Sequence, residues 1–278
     1  MIHLVTDSTS DITQKDASAM GITVVPLTVR FGEQQFRDGV DMDSAAFYKE
    51  LAKNSVHPTT SQPTPEQFAD VYRPLLQNPD DSIVGLHIAS KLSGTLQSAH
   101  IAAQEVAPER IHLVDSDTVS AGLQLLLRAA LDDVAAGHDA RAVAERTLAR
   151  RDRVTIYVLL DTLTYLQRGG RIRRTQAVVG AVLSVKPVLK VEAGEVLPAA
   201  RVRSRRQGID KMLEMLSPAL PMRYLAAFHC GSPELLPELV GRLRALAPET
   251  EIIEGQVGPV VGAYAGPGGI GIAGLSAD

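Results

Sequence analysis

The run Ile83-Val84-Gly85-Leu86-His87-Ile88-Ala89, its continuation Ser90-Lys91-Leu92-Ser93-Gly94, and the segment from Thr95 to Val106 decide the fold. The first is almost unbroken apolar sequence, as a parallel strand covered on both faces requires. The last repeats its apolar residues at helical spacing. The same order of strand, polar loop and helix recurs on either side. Ile2 to Val5 runs into Asp7-Ser8-Thr9-Ser10-Asp11, a cluster of turn formers and helix N-caps, and Gly21 closes the helix that follows. Ile111 to Val114 ends in Asp115-Ser116 and leads to helices from about Val119 to Ala136 and from Ala140 to Arg150. This repetition predicts an open, mainly parallel α/β sheet with helices on both faces.

Between these units, Ile22 to Val25 and Leu27 to Phe31 read as strand broken at Pro26, and Asp38-Gly39 turns the chain toward a helix beginning near Asp43. Thr64-Pro65-Glu66-Gln67 combines an N-cap, a proline at the first helical position and the glutamine of a capping box, so a helix runs to about Leu76. After Asp152 the pattern changes. A strand at Val154 to Leu159, two helices around Gly169-Gly170 and a hairpin from Val188 to Leu197 turning at Ala193-Gly194 precede strands at Tyr224 to Phe228, Glu251 to Glu254 and Gly269 to Ala273, with a helix from Pro233 to Leu246. The reading is an α/β domain over 1–152 and an α+β domain over 153–278.

Of the 278 residues, 45% are apolar and 22% charged, enough to bury a core. A net charge of −4, 4% aromatic residues and no Trp lack both the basic excess and the stacking surfaces of a nucleic-acid binder. The single cysteine, Cys230, leaves no internal disulfide and no multi-cysteine metal site, and suits a reducing compartment. Met1 to Ser10 reads as strand and turn instead of a signal peptide, and no apolar run approaches the ~20 residues of a membrane span. A cytoplasmic protein without a membrane span is expected. Gly266-Pro267-Gly268-Gly269-Ile270-Gly271 matches the dinucleotide pattern GxGxxG formally, but no helix can follow before Asp278. No GxSxG, HExxH or GxxxxGK[ST] motif occurs, and no histidines pair at i, i+4, so neither cofactor nor metal is expected.

Three groups of residues remain. Ser93-Gly94-Thr95 lies between a strand end and a helix start, where free amides and hydroxyls attract an anion; a plain N-cap fits it as well. Thr59-Thr60-Ser61-Gln62-Pro63 reads as a hydroxyl-bearing loop outside any regular element, or as an ordinary polar connection. Arg171, with Arg168, Arg173 and Arg174 close by, and the cluster Arg201, Arg203, Arg205 and Arg206 match carboxylate or phosphate, or form a solvated face. Asp7-Ser8 and Asp115-Ser116 read as helix caps at the sheet edge.

Taken in order, Asp7-Ser8-Thr9-Ser10-Asp11, Thr60-Ser61-Gln62-Pro63, Ser90-Lys91-Leu92-Ser93-Gly94-Thr95, Gly169-Gly170-Arg171 and Gly266-Pro267-Gly268 give a chain that resembles the DegV family over its whole length. The resemblance implies a two-lobed α/β protein enclosing a long-chain fatty acid such as palmitate between its lobes, with no catalysis of its own. Bacterial members serve as acyl-carrying subunits of an ATP-dependent fatty acid kinase, which converts the bound carboxylate to an acyl phosphate. Carried over to these positions, Thr60 and Ser93 become the main carboxylate donors, with Ser61, Gly94 and Thr95 beside them, and Arg171 and Arg203 lie where ligand meets kinase. Family members carry histidine where this chain has Tyr264, which keeps a hydroxyl donor but cannot become a cation near neutral pH. The rival reading is an enzyme, a phosphotransferase or a serine hydrolase, using the Ser93 loop; a nucleophilic serine would need His87, His100 or another base within reach.

Overall fold

A computed structural model describes residues 1–171 and 185–277. The first half contains β1 (Ile2–Asp7), α1 (Gln14–Met20), β2 (Ile22–Val25), β3 (Thr28–Phe31), β4 (Gln34–Arg37), α2 (Ser44–Lys53), β5 (Thr59–Ser61), α3 (Pro65–Leu75), β6 (Ser82–His87), α4 (Thr95–Val106), β7 (Ile111–Asp115), α5 (Ala121–Ala135) and α6 (Ala140–Arg150). The second contains β8 (Val154–Leu159), α7 (Thr164–Gly169), β9 (Lys186–Glu192), β10 (Glu195–Val202), α8 (Arg205–Leu216), β11 (Met222–His229), α9 (Leu236–Leu246), β12 (Ile252–Gln256), α10 (Pro259–Ala265) and β13 (Ile270–Ser276). The second of the two helices expected around Gly169-Gly170 lies outside the described residues, as do Arg173 and Arg174.

Alternation of apolar residues along β1 explains the layering of the first half. Leu4, beside Ile22 and Val84 in register, points to one face, and Val5 points to the other with Val25 and Ile83. The sheet is wholly parallel with strand order β2-β1-β6-β7. Phe68 and Tyr72 of α3 and Ala99 and Ala102 of α4 cover the Val5 face, whereas the leucine-rich α5 covers the Leu4 face. The chain therefore leaves β1 toward β2 on one side and β6 toward β7 on the other. A crevice opens at the carboxyl ends of β1 and β6, where ligands of open parallel sheets bind.

The second sheet is mixed, with strand order β10-β9-β8-β13-β11-β12. Helices α8 and α9 bury Ile209, Met212, Leu239 and Leu243 against one face. The other face meets α5, which touches β8, β11 and β13 as well as β1 and β6. One apolar core thus runs from Leu4 and Val84 through Leu123, Leu126 and Leu127 to Ala273 and Leu275. The β9–β10 hairpin turns at Ala193-Gly194 as expected, both at positive φ, the geometry that matches strand twist.

One local expectation needs correction, and two helices lie where none was expected. Thr59–Ser61 is not a loop: it is β5, paired antiparallel to β3 so that Thr60 lies opposite Val29 in a three-stranded sheet β4-β3-β5. Arg205 and Arg206 belong to a helix, α8, capped by Ser204. A further helix, α10, occupies Pro259–Ala265 between Gly258 and Gly266.

Because Leu126 is fully buried in the core shared by both sheets, Leu126→Ala should cost about 2 to 5 kcal/mol of stability. Urea denaturation followed by circular dichroism measures this; a loss below about 1 kcal/mol would mean that α5 is not packed as described.

Candidate functional site

The crevice at the ends of β1 and β6 is shaped by Asp7. Buried at the end of β1, it accepts from the Thr9 N–H through Oδ1 at 3.0 Å and from the Ile88 N–H through Oδ2 at 3.0 Å, with His87 Nδ1 at 3.1 Å. Asp7 thus caps the turn at Ser8–Ser10 and also joins the two loops that follow the central strands. Asp115 caps no helix; its Oδ1 accepts from the Ser90 and Asp117 N–H groups, each at 3.2 Å, and orders the loop before Ser93.

Behind this edge lies an almost wholly apolar cavity of about 120 Å³. Its walls are Ile88, Leu92 and Val119 from the first half, Ile156, Val158 and Leu160 along β8 and just beyond it, Leu189 and Val191 on β9, and Val260, Val261 and Tyr264 on α10. Cys230 also lines it, and burial pushes its thiol up to about 12, so the sulfur is a neutral wall atom.

The cavity meets a polar mouth in which Thr60, Ser61, Gln62, Ser93, Arg171 and Tyr264 gather. Thr60 Oγ1 and the Tyr264 hydroxyl share a hydrogen bond of 2.5 Å, which ties β5 to α10. Ser93 Oγ is 2.8 Å from Thr95 Oγ1 and accepts from the Thr95 N–H at 3.3 Å. Thr95 itself is fully buried behind Ser93. Gly94 stands at the N-cap of α4, with no side-chain cap, and the Gln62 amide lies where a β-carbon on Gly94 would be. Gln62 reaches on to donate to Ser98 Oγ at 3.0 Å. Any larger residue at 94 would displace it.

Arg171 lies at the mouth, its guanidinium 5.0 Å from the centroid of the Tyr264 ring and its Nη1 donating to Gly169 O at 3.1 Å. Gly169 lets the Tyr264 ring pack against the backbone, because a β-carbon there would meet the ring. Outside the mouth, Ser93, Gly94 and Arg171 share a polar cleft with Lys91 and Glu195. Arg203 is exposed beyond β10, its N–H bonded to Gln207 Oε1 at 3.0 Å, and lines neither cavity, mouth nor cleft. The structure therefore brings Thr60, Ser61, Ser93, Gly94, Thr95, Tyr264 and Arg171 together, and leaves Arg203 apart.

Sequence reasoning did not single out Gln62, Asp11 or Asp38. The Gly258 N–H, preceding α10, donates to Asp11 Oδ1 at 2.8 Å, Ser120 Oγ donates to Asp11 Oδ2 at 2.5 Å, and the Val260 N–H donates to Asp38 Oδ2 at 3.3 Å. Burial pushes both carboxyl groups up, Asp38 to about 7, against the opposing pull of these hydrogen bonds. Only the long-range pairing with α10 reveals them; locally, Arg37-Asp38-Gly39 is a turn.

A nucleophilic role for Ser93 finds no support here. Its hydroxyl partner is Thr95; His87 is buried against Asp7 and edge-on to Phe68, and His100 is exposed on α4. Among the described residues no group of His, Cys, Asp and Glu is arranged to hold a metal ion, and no described helix is long and apolar enough to cross a membrane.

The raised pKa of Asp38 fixes a sign. Between about 3.8 and 7 the folded state keeps a proton that the unfolded state gives up, so this group's contribution falls as pH rises through that window. Between pH 5 and pH 7.5 the wild type should lose about 2 to 3 kcal/mol more stability than Asp38→Asn. Denaturant titrations at both pH values test it; equal losses would mean that Asp38 is ionised throughout.

Comparison with known proteins agrees with this architecture. The family model described as "Uncharacterised protein, DegV family" matches residues 1–276. A DegV domain-containing protein of Streptomyces coelicolor is 34% identical over 275 residues, covering 98% of this chain and 97% of the relative. A DegV family protein from Thermus thermophilus, described by its fatty acid binding, superposes with a TM-score of 0.90 at 34% identity, covering 99% of each chain. DegV of Bacillus subtilis, described as a fatty acid binding protein, gives a TM-score of 0.89 at 30% identity, again over 99% of each chain. With the parallel sheet, the mixed sheet and the matched residues in agreement, the chain belongs to the DegV family.

Proposed function

We infer that this protein binds one long-chain fatty acid with its tail in the apolar cavity and its carboxylate at the mouth, and presents that carboxylate to an ATP-dependent fatty acid kinase for acyl phosphate formation. The observation that carries the reading is the junction itself: an apolar cavity opening onto clustered hydroxyls and the Arg171 guanidinium. Burying a fourteen-methylene tail contributes roughly 11 kcal/mol before binding costs, so a few polar contacts suffice to orient the head group. In this reading Thr60 and Ser93 donate to the carboxylate, with Ser61, the Gly94 amide and Tyr264 beside them, and Thr95 positions the Ser93 hydroxyl. The fatty acid binding described for the relatives from Thermus thermophilus and Bacillus subtilis supports the ligand class.

The division into lobes over 1–152 and 153–278 belongs to the same proposal, as does a cytoplasmic site of action. It is supported by the strands: all of the parallel sheet precede residue 152 and all of the mixed sheet follow it. Arg171, at the mouth, serves the acyl phosphate and the partner, and exposed Arg203 serves the partner alone.

Denaturing extraction and mass spectrometry should recover near-stoichiometric acyl chain from the purified protein. Protein that is empty from several hosts and takes up neither palmitate nor oleate refutes the carrier reading. Ser93→Ala and Thr60→Val each remove a charge-assisted hydrogen bond, so fatty acid affinity should fall about ten- to hundredfold. The double variant should depart from additivity. A fatty alcohol of equal length should respond much less; equal losses would show that the two residues shape the cavity without reading the anion. For the partner, charge reversal at Arg203 should spare lipid loading while slowing phosphorylation of the loaded protein, and unchanged kinetics would remove Arg203 from the assignment.

A further inference from the structure

Strand β8 runs like a ruler along the cavity. Leu160, just past its end, packs in a cluster with Tyr264 close to the mouth, and Val158 and Ile156 follow at alternate positions on the same wall. Four residues of strand separate Leu160 from Ile156, about 13 Å. Ile156 lies directly opposite Val191 on β9, and Val191 opposite Val196 on β10, so a cross-strand row closes that end.

Beyond this row the lining changes character. A second cleft, polar and open, carries the ion pairs Arg151–Asp117 at 3.3 Å and Lys190–Glu192 at 2.7 Å. Ile156 and Val191 line both spaces, and among the described residues no other is common to their walls. The next residue on the same face of β8, Val154, lines only the polar cleft. Helix α5 holds the barrier from behind: a β-carbon on Gly122 would stand 2.6 Å from Ile156 Cδ1 and 2.9 Å from Val154 Cγ1. The partition is therefore one side chain thick and braced.

We propose that the Ile156–Val191 pair is the distal stop of the acyl cavity, so that these two side chains set the longest tail the protein accepts before it would have to enter the polar cleft. This rests on the carrier reading above. An acyl chain gains about fourfold in affinity for each methylene it buries. The gain ends where the next methylene meets the Ile156–Val191 wall or the ionic groups behind it.

The test is a titration of saturated fatty acids of increasing length, from laurate to behenate, against the full chain and three variants. In the wild type the affinity should climb by about fourfold per methylene and then stop climbing at one length. Val191→Ala and Ile156→Ala should carry the climb to longer acids, and Val191→Phe should end it at shorter ones. A length limit that stays put in Val191→Ala and Val191→Phe overturns the proposal even if Ile156→Ala fails to fold, since Val191 is only partly buried. Wild-type protein that binds none of the acids overturns the carrier reading and the stop with it.

Discussion

The N–H groups at the start of α10 are held by carboxylates from the other half of the molecule, Gly258 by Asp11 across 247 residues and Val260 by Asp38 across 222. A helix begins with unpaired donors and a partial positive charge, so these acids complete it as well as anchor it. Everything at the mouth depends on that grip. Val260 and Tyr264 face the cavity because α10 is fixed at this height, and the bond between Tyr264 and Thr60 secures its far end to β5. The cost is the removal of two carboxyl groups from water, visible in the upward push on Asp38.

The mouth combines neutral donors with the Arg171 guanidinium. Tyrosine at 264 supplies a hydroxyl and an aromatic face, and the face supports the Arg171 guanidinium. Charge thus comes from α7's end and hydrogen bonding from β5, α10 and the loop before α4. The small residues around it, Gly94 and Gly169, make room for Gln62 and Tyr264 respectively, so the polar rim is shaped by absent side chains as much as by present ones.

Features encoded by neighbouring residues were legible in the sequence. The Thr64–Gln67 capping box and the Ala193-Gly194 turn form where local chemistry places them. Strand β5 was not legible: its three residues are polar, and it is a strand because β3 offers a partner. Helix α10 was hidden by Pro259 and by glycines at 258, 262 and 266, and its stability comes from Asp11 and Asp38, remote in sequence. Ser93 and Thr60 stood out by residue type, yet their common mouth is a product of the topology that places β5 over the ends of β1 and β6. Arg203 shared the composition of a site without its location.

Helix α5 has a mechanical consequence. It packs on both sheets within one continuous core, so parting them like a clamshell would put Leu123, Leu126 and Leu127 into water, at about 25 cal/mol for each Å² exposed. The sheets therefore form a rigid housing.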